Sequence, residues 1–481
     1  MTLLLRPSVS VTVSAAPPGR DNRFAASRAH FAGVTYRGDI APRIVRGMSE
    51  FERWFGPRQS YSVLYDAASV FFAEGGGELV VSPVWGPSAV SSSVDVDDQQ
   101  TPTPETAVTV TAVSAGVWGD DVDVAFANGA GTGTTTMTVT YDGTIVEVYA
   151  DKLPADLVTA SEASGYVRVT LGDSTATGNS ARPAAATVSL AGGDDDRGDI
   201  TDDEWEDALA AIDEGYGAGQ VAAPGETGGT RLQQVADHAQ EFNRVALCDV
   251  SSTVATAAST AATLRSAAQD ASYAGLFTVG LSARLAGVVR SVPSSAVAAG
   301  LMSRNDRSAS VNTPAAGVNG VCVSVVNAPV YTTAERNTLT EAGVNAFKTL
   351  SGSTRLYGYR SADNDLTAWA LLSNVRLRMD LIRQAFDIGE RYVFALLDGG
   401  MKTVRAWQGD LTGMLLPYWD SGDLYGETPA DAAVVDISGN NDETAAAGEL
   451  LATLGLKFSG FAEAVSIEIV KFAPNQALPA A

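Results

Sequence analysis

Two short runs of alternating residues, one near each end of the sequence, constrain the fold of this chain most. Val9, Val11 and Val13 alternate with Ser8, Ser10, Thr12 and Ser14, between Pro7 and Pro17-Pro18-Gly19. Val465, Ile467 and Ile469 alternate with Ser466, Glu468 and Val470, ahead of Pro474. A period of two marks a strand with one buried face. A strand set apart by proline and glycine must join a sheet, either in its own chain or in a neighbour. Joining a neighbour is β-augmentation, and repeated from copy to copy it builds a polymer. These residues alone leave both options open.

The chain has 481 residues, enough for roughly two to four domains. Its formal net charge of −24 argues against nucleic acid and anionic lipid as partners, since both are held by basic surfaces. Such acidity fits a protein kept dispersed by self-repulsion. Cys248 and Cys322 both lie in apolar strand-like runs and read as buried, reduced thiols. Leu3-Leu4-Leu5 is too short for the core of a signal peptide, and no run of about 18 apolar residues predicts a membrane span.

The pattern along the chain predicts a mixed α/β and α+β, multidomain fold. It has a layered α/β core, an inserted all-β, sandwich-like domain and terminal strand-donating arms. Residues 1–24 form the N-terminal arm, and 25–87 the first part of the core. Within that part, 31–34 is strand-like and 49–55 a helix capped by Ser49. A second helix at 60–73 is stopped by Gly75-Gly76-Gly77. From 88 to 190 the chain is rich in Thr, Ser, Val, Gly and Asp, with short alternating runs at 107–113, 136–140, 144–149 and 166–171. Strands and helices alternate again through the second part of the core, 191–349, as in a layered α/β domain. Residues 350–481 form a C-terminal α+β domain that ends in the second arm. Its long helix, at 365–386, places Trp369, Leu372, Val375, Met379, Ile382 and Phe386 on one face.

Nothing in the sequence assembles into an active site. His30 and His238 are the only histidines, and no cysteine pair has ligand spacing, so no metal site is expected. His238, Cys248 and Asp249 could be drawn as a nucleophile set, but Cys248 follows Val-Ala-Leu and reads as core. Gly215-x-Gly217-x-Gly219 follows a helix and precedes a strand, the reverse of a dinucleotide loop. The acidic run at Asp194-Asp195-Asp196, Asp199, Asp202 and Asp203 lacks the spacing of a calcium hand. It suits a turn feeding a helix N-terminus. No catalytic residue and no cofactor is expected.

The order of motifs resembles the contractile tail sheath family of bacteriophages and tailocins. Phe31-Ala-Gly33 with Arg37-Gly38 is similar to its opening strand and turn. Phe51-x-x-x-Phe55-Gly56 and Phe71-Phe72 with Gly75-Gly76 follow. Gly116-Val-Trp118-Gly119 resembles the family's Gly-x-Trp-Gly element, and Leu190-Ala-Gly192-Gly193-Asp194 comes next. Val292-Pro-Ser-Ser-Ala-Val-Ala-Ala-Gly300, with Asp306 and Pro314-Ala315 downstream, carries the most specific likeness. Tyr357-Gly-Tyr-Arg360, Trp369 and Asn374-Val375-Arg376 complete it. Departures include Arg376-Leu377-Arg378 where the family has a double arginine.

The resemblance implies a mechanical subunit, not an enzyme. Copies would polymerise as a helical homopolymer, in stacked hexameric rings, around a tail tube protein. Contraction would then drive the tube through the host envelope. The implied partners are the tube, the baseplate and the tail terminator, with no direct nucleic acid and no membrane insertion. The implied location is the virion tail, after assembly in the host cytoplasm. The arm residues Val9, Val11, Val13, Val465, Ile467 and Ile469 would lace copies together. The family's C-terminal domain lies beside the tube, which makes Arg376, Arg378 and Arg383 candidate tube contacts, with internal pairing to Asp380, Asp387 or Glu390 as the alternative. The rival functions are a non-contractile structural protein of a virion or surface layer, and an α/β enzyme.

Overall fold

The computed structural model describes residues 27–38, 41–468 and 471. The N-terminal run at Val9, Val11 and Val13, and Ile469 of the C-terminal run, lie outside the described residues.

Strands with continuous apolar runs form the centre. Val245–Val250 is buried at every position, as a strand covered on both faces must be. It pairs in parallel with Gln220–Ala222 on one side and Ala274–Thr278 on the other. The sheet continues outward through Ala29–Val34 and Leu79–Val84, all parallel, and ends on Val344–Asn345 at the far edge. Arg43–Val45 closes the other edge antiparallel, giving seven strands.

A helix over Ser294–Asp306 is buried almost throughout. It has no apolar stripe because every side meets protein, so periodicity does not reveal it. Its small residues allow close approach: a Cβ on Gly300 would lie 2.8 Å from the Phe71 carbonyl oxygen. That carbonyl belongs to the helix Leu64–Ala73. The Asp249 carboxylate, at the end of the central strand, receives Ser295 N–H at 2.9 Å and Ser295 Oγ–H at 2.6 Å. It also accepts Gly225 N–H at 2.8 Å. The Val-Pro-Ser-Ser stretch therefore ends a strand and starts a helix whose first turn is held by an acid from the sheet.

Residues 93–189 form two sheets. Ser93–Asp97, Thr106–Ala112 and Val167–Leu171 make one. Thr187–Ser189, Val122–Asn128, Thr135–Tyr141 and Thr144–Lys152 make the other. Alternate residues from both meet in one cluster around Trp118, Met137 and Leu157. The entry and exit chains touch: Gly86 N–H donates to the Asp195 carbonyl at 3.2 Å and Val90 N–H to that of Asp194 at 2.8 Å.

A polar node lies where strands Gln220–Ala222 and Val245–Val250 begin. Arg244 is fully buried and donates to the carbonyls of Gly217 at 2.8 Å, Ile212 and Asp213. It also donates to Nε2 of His238 at 2.8 Å, which keeps that imidazole neutral with its proton on Nδ1. Burial, then the Arg244 charge, pushes His238 down to about 3. The same two causes, in the same order, hold His30 well below the usual histidine range. In the unfolded chain both titrate near 6.5. The unfolded state therefore binds more protons across the window between these values, and stability falls as pH drops from about 6.5 toward 3, by at most ~1.4 kcal/mol per pH unit for each histidine. The melting temperature is expected to fall below pH 6.5, and less steeply in His238→Gln. Equal slopes in the two proteins would contradict this.

The described residues fall into two compact units that part between Leu396 and Leu397, and the boundary expected at 349/350 lies inside the first. The long helix is the reason. It runs Leu372–Glu390, and Asn243 Nδ2 donates to its Met379 carbonyl at 2.9 Å, which binds it to the first unit. Its start also differs from the expected residue 365. Asp363 and Asp365 accept the backbone N–H groups of Asp365 and Thr367, two residues on, and these local bonds make turns in place of a first helical turn. Trp369 thus precedes the helix. Another correction concerns the helix Met48–Phe55: Gly47 stands at its cap, and Ser49 lies inside it.

The second unit contains a helix over Lys402–Asp420 and an antiparallel pair, Ala433–Asp436 with Thr453–Leu456.

Candidate assembly site

The arginines expected at a tube surface point into the protein. Arg376, Arg378 and Arg383 are 4%, 3% and 7% exposed. Arg376 forms an ion pair through Nη2 with Asp306, the last residue of the buried helix, and Nη1 donates to the Tyr359 hydroxyl at 3.1 Å. Arg378 lies between two rings, its Cζ 4.4 Å from the centroids of both Tyr273 and Trp369. Its Nη2 donates to Ser272 Oγ at 3.0 Å, and Asp270 lies 3.7 Å from Nη1. Arg383 pairs with Asp380 one turn away. The tube-contact expectation is therefore corrected to internal pairing. Asp380 is one of the three acids expected as internal partners, whereas Asp306, which pairs with Arg376, is not among them. On a helical wheel Arg376 and Arg383 share one side and Arg378 lies opposite; Asp306 packs against Arg376, and Tyr273 and Trp369 against Arg378, so both sides are interior.

The other sequence candidates are also committed elsewhere. Cys248 is buried, and burial followed by the charge of neighbouring Asp249 pushes its thiol up, away from nucleophilic use. His238 serves Arg244, and Asp249 serves Ser295 and Gly225. In the acidic run, Asp194 accepts Asp196 N–H at 2.9 Å, Asp195 pairs with Arg197, and Asp196 accepts Ser88 N–H at 2.8 Å. Among the described residues no group of three or more His, Cys, Asp or Glu side chains is placed to hold a metal ion. No helix among them is long and apolar enough to cross a membrane.

A surface that can take a strand is found in the second unit. Ala433–Asp436 and Thr453–Leu456 pair only with each other among the described strands; the outer edge of the first is covered, since Ala433 N–H donates to the Pro429 carbonyl and Gln408 Nε2–H to the Val435 carbonyl at 2.8 Å, while Thr453–Leu456 keeps an open edge among the described residues. A two-stranded pair of this length gains little stability alone and is completed by further strands. Beyond it, Val465 and Ile467 carry no regular structure and are 80% and 81% exposed. Sequence reading found the alternating run but not this open edge, which only the pairing makes visible.

No family model matches the sequence, and no curated protein matches it. Solved structures do. The sheath tail protein of Listeria innocua aligns over 90% of this chain and 98% of its own, at 13% identity and a TM-score of 0.61. This chain has the tail sheath fold. The sheath tail protein of Desulfitobacterium hafniense aligns over 90% and 94%, at 14% identity and a TM-score of 0.56. The sheath complex of an extracellular contractile injection system, PVC, in its contracted state, aligns over 99% of both chains at 15% identity and a TM-score of 0.55. The sheath fold thus spans the mixed α/β core and the second unit alike.

Proposed function

We propose that this chain is the structural subunit of a contractile tail sheath. The observation that carries the reading is the alignment over 99% of both chains with a subunit of the contracted PVC sheath complex. Copies polymerise as stacked rings around a tail tube protein, attach to a baseplate at one end and a tail terminator at the other, and contract to drive the tube forward. The work comes from the lattice and not from catalysis at a site in the chain. The particle tail is its location, reached by assembly in the host cytoplasm.

The open edge of Thr453–Leu456 in the second unit and the exposed Val465 and Ile467 support lacing between copies. Val9, Val11, Val13 and Ile469 are assigned to the same role by their alternation. A strand so added contributes about 0.5–1.5 kcal/mol for each net main-chain hydrogen bond.

Electron microscopy of the chain co-expressed with its tube protein tests the reading. Hollow cylinders enclosing the tube, long and narrow or short and wide, are expected. Flat arrays or discrete particles under all assembly conditions would reject it.

A further inference from the structure

The residues after strand Ala29–Val34 run between the α/β core and the inserted sheets, with Arg37 at their centre. Arg37 is 4% exposed. Its Cζ lies 5.5 Å from the ring of Trp118, 5.4 Å from that of Tyr141 and 4.7 Å from that of Tyr166. All three rings belong to the insert. On the core side, Nη2 donates to the carbonyls of Arg53 at 2.7 Å and Glu52 at 3.3 Å. These carbonyls end the helix Met48–Phe55, where the dipole favours a cation. Among the described residues no carboxylate pairs with Arg37, and its Nε and Nη1 find no hydrogen-bond partner there. Burying a cation is expensive, and the ring faces and the helix end compensate it.

The neighbours of Arg37 repeat the bridge. Gly38 N–H donates to Ser114 Oγ at 3.0 Å, and the Trp118 indole N–H reaches the same hydroxyl at 3.1 Å. Gly38 has a φ of +132°, and a Cβ there would lie 2.7 Å from the Phe55 ring. In the Gly-x-Trp-Gly element, a Cβ on Gly119 would lie 2.5 Å from Ser92 Oγ. The element is thus shaped to seat Trp118 as one wall of a cage.

We propose that Arg37 is a bolt that fixes the angle of the inserted β domain relative to the α/β core, so that the two turn as one body. The proposal does not depend on the sheath reading. Spin labels at Ser60→Cys in the core and Thr144→Cys in the insert, both exposed, report the distance between the parts, while Cys248 and Cys322 are buried. The parent protein is expected to give one narrow distance distribution. Arg37→Ala is expected to at least double its width with circular dichroism unchanged. Arg37→Met removes the charge at similar volume, and Tyr166→Leu removes one ring. Each should broaden the distribution, and they carry the test if Arg37→Ala does not fold. Unchanged width in the folded variants overturns the proposal.

Discussion

Arg376→Ala is expected to destabilise the protein by about 3–5 kcal/mol, the usual cost of leaving one partner of a buried ion pair alone. The side chains of Arg376 and Asp306 are 4% and 2% exposed, so water cannot take over the lost contact. Asp306 Oδ1 already has no hydrogen-bond partner among the described residues, which leaves the carboxylate little other support. The loss would reach two elements, because Asp306 closes the buried helix Ser294–Asp306 and Arg376 lies early in Leu372–Glu390. Denaturant unfolding of the isolated chain measures the effect. Replacing both residues together, Arg376→Met with Asp306→Leu, should recover much of the loss, since no buried charge is then left alone; the bonds to the Tyr359 hydroxyl and from Gln220 to Asp306 account for the remainder. A single variant within about 1 kcal/mol of the parent would mean that the pair is not held as described.

Deleting residues 1–16 is expected to abolish cylinder formation while leaving a cooperatively melting monomer. The deletion removes Val9, Val11 and Val13, the alternating face assigned to a neighbouring copy. The central sheet begins at Ala29 and takes its partners from Leu79–Val84 and Gln220–Ala222, so its recorded pairs survive the deletion. Melting would follow the core and assembly would follow the arm. Negative-stain images and a melting curve on the same sample separate the two. Normal cylinders from the truncated protein would reject the arm's role.

Some elements whose burial is one-sided or complete on both faces were legible in the sequence. Val245–Val250 stood out as an apolar run, and the insert strands Thr106–Ala112 and Thr135–Tyr141 by alternation. The strands Ser93–Asp97 and Val122–Asn128 were missed, although the latter alternates. The helix Ser294–Asp306 surfaced only as a motif, because a segment enclosed on all sides has no polar face to set its period. The arginines misled for a different reason. A wheel drawn for one helix cannot include Asp306, 70 residues away from Arg376, or Ser272, 106 away from Arg378. Local sequence shows that a side chain is charged, and only the long-range fold shows whether its counter-ion is water or protein. The same contacts place the boundary expected at 349/350 inside the first unit. The open edge of Thr453–Leu456 was hidden likewise, since an unpaired strand edge and a paired one share the same propensities.

The insert leaves and re-enters the core through chains that touch at Gly86 and Asp195, 3.2 Å apart from nitrogen to oxygen. To the central sheet, the hundred or so residues between them are topologically no longer than a hairpin loop. A lineage can lengthen, shorten or exchange that excursion without re-threading a single core strand, and an engineer can graft a foreign domain at the same stem. The limit on this freedom is set at Arg37: whatever replaces the insert must bring its own means of covering a guanidinium, or the core must give the residue up.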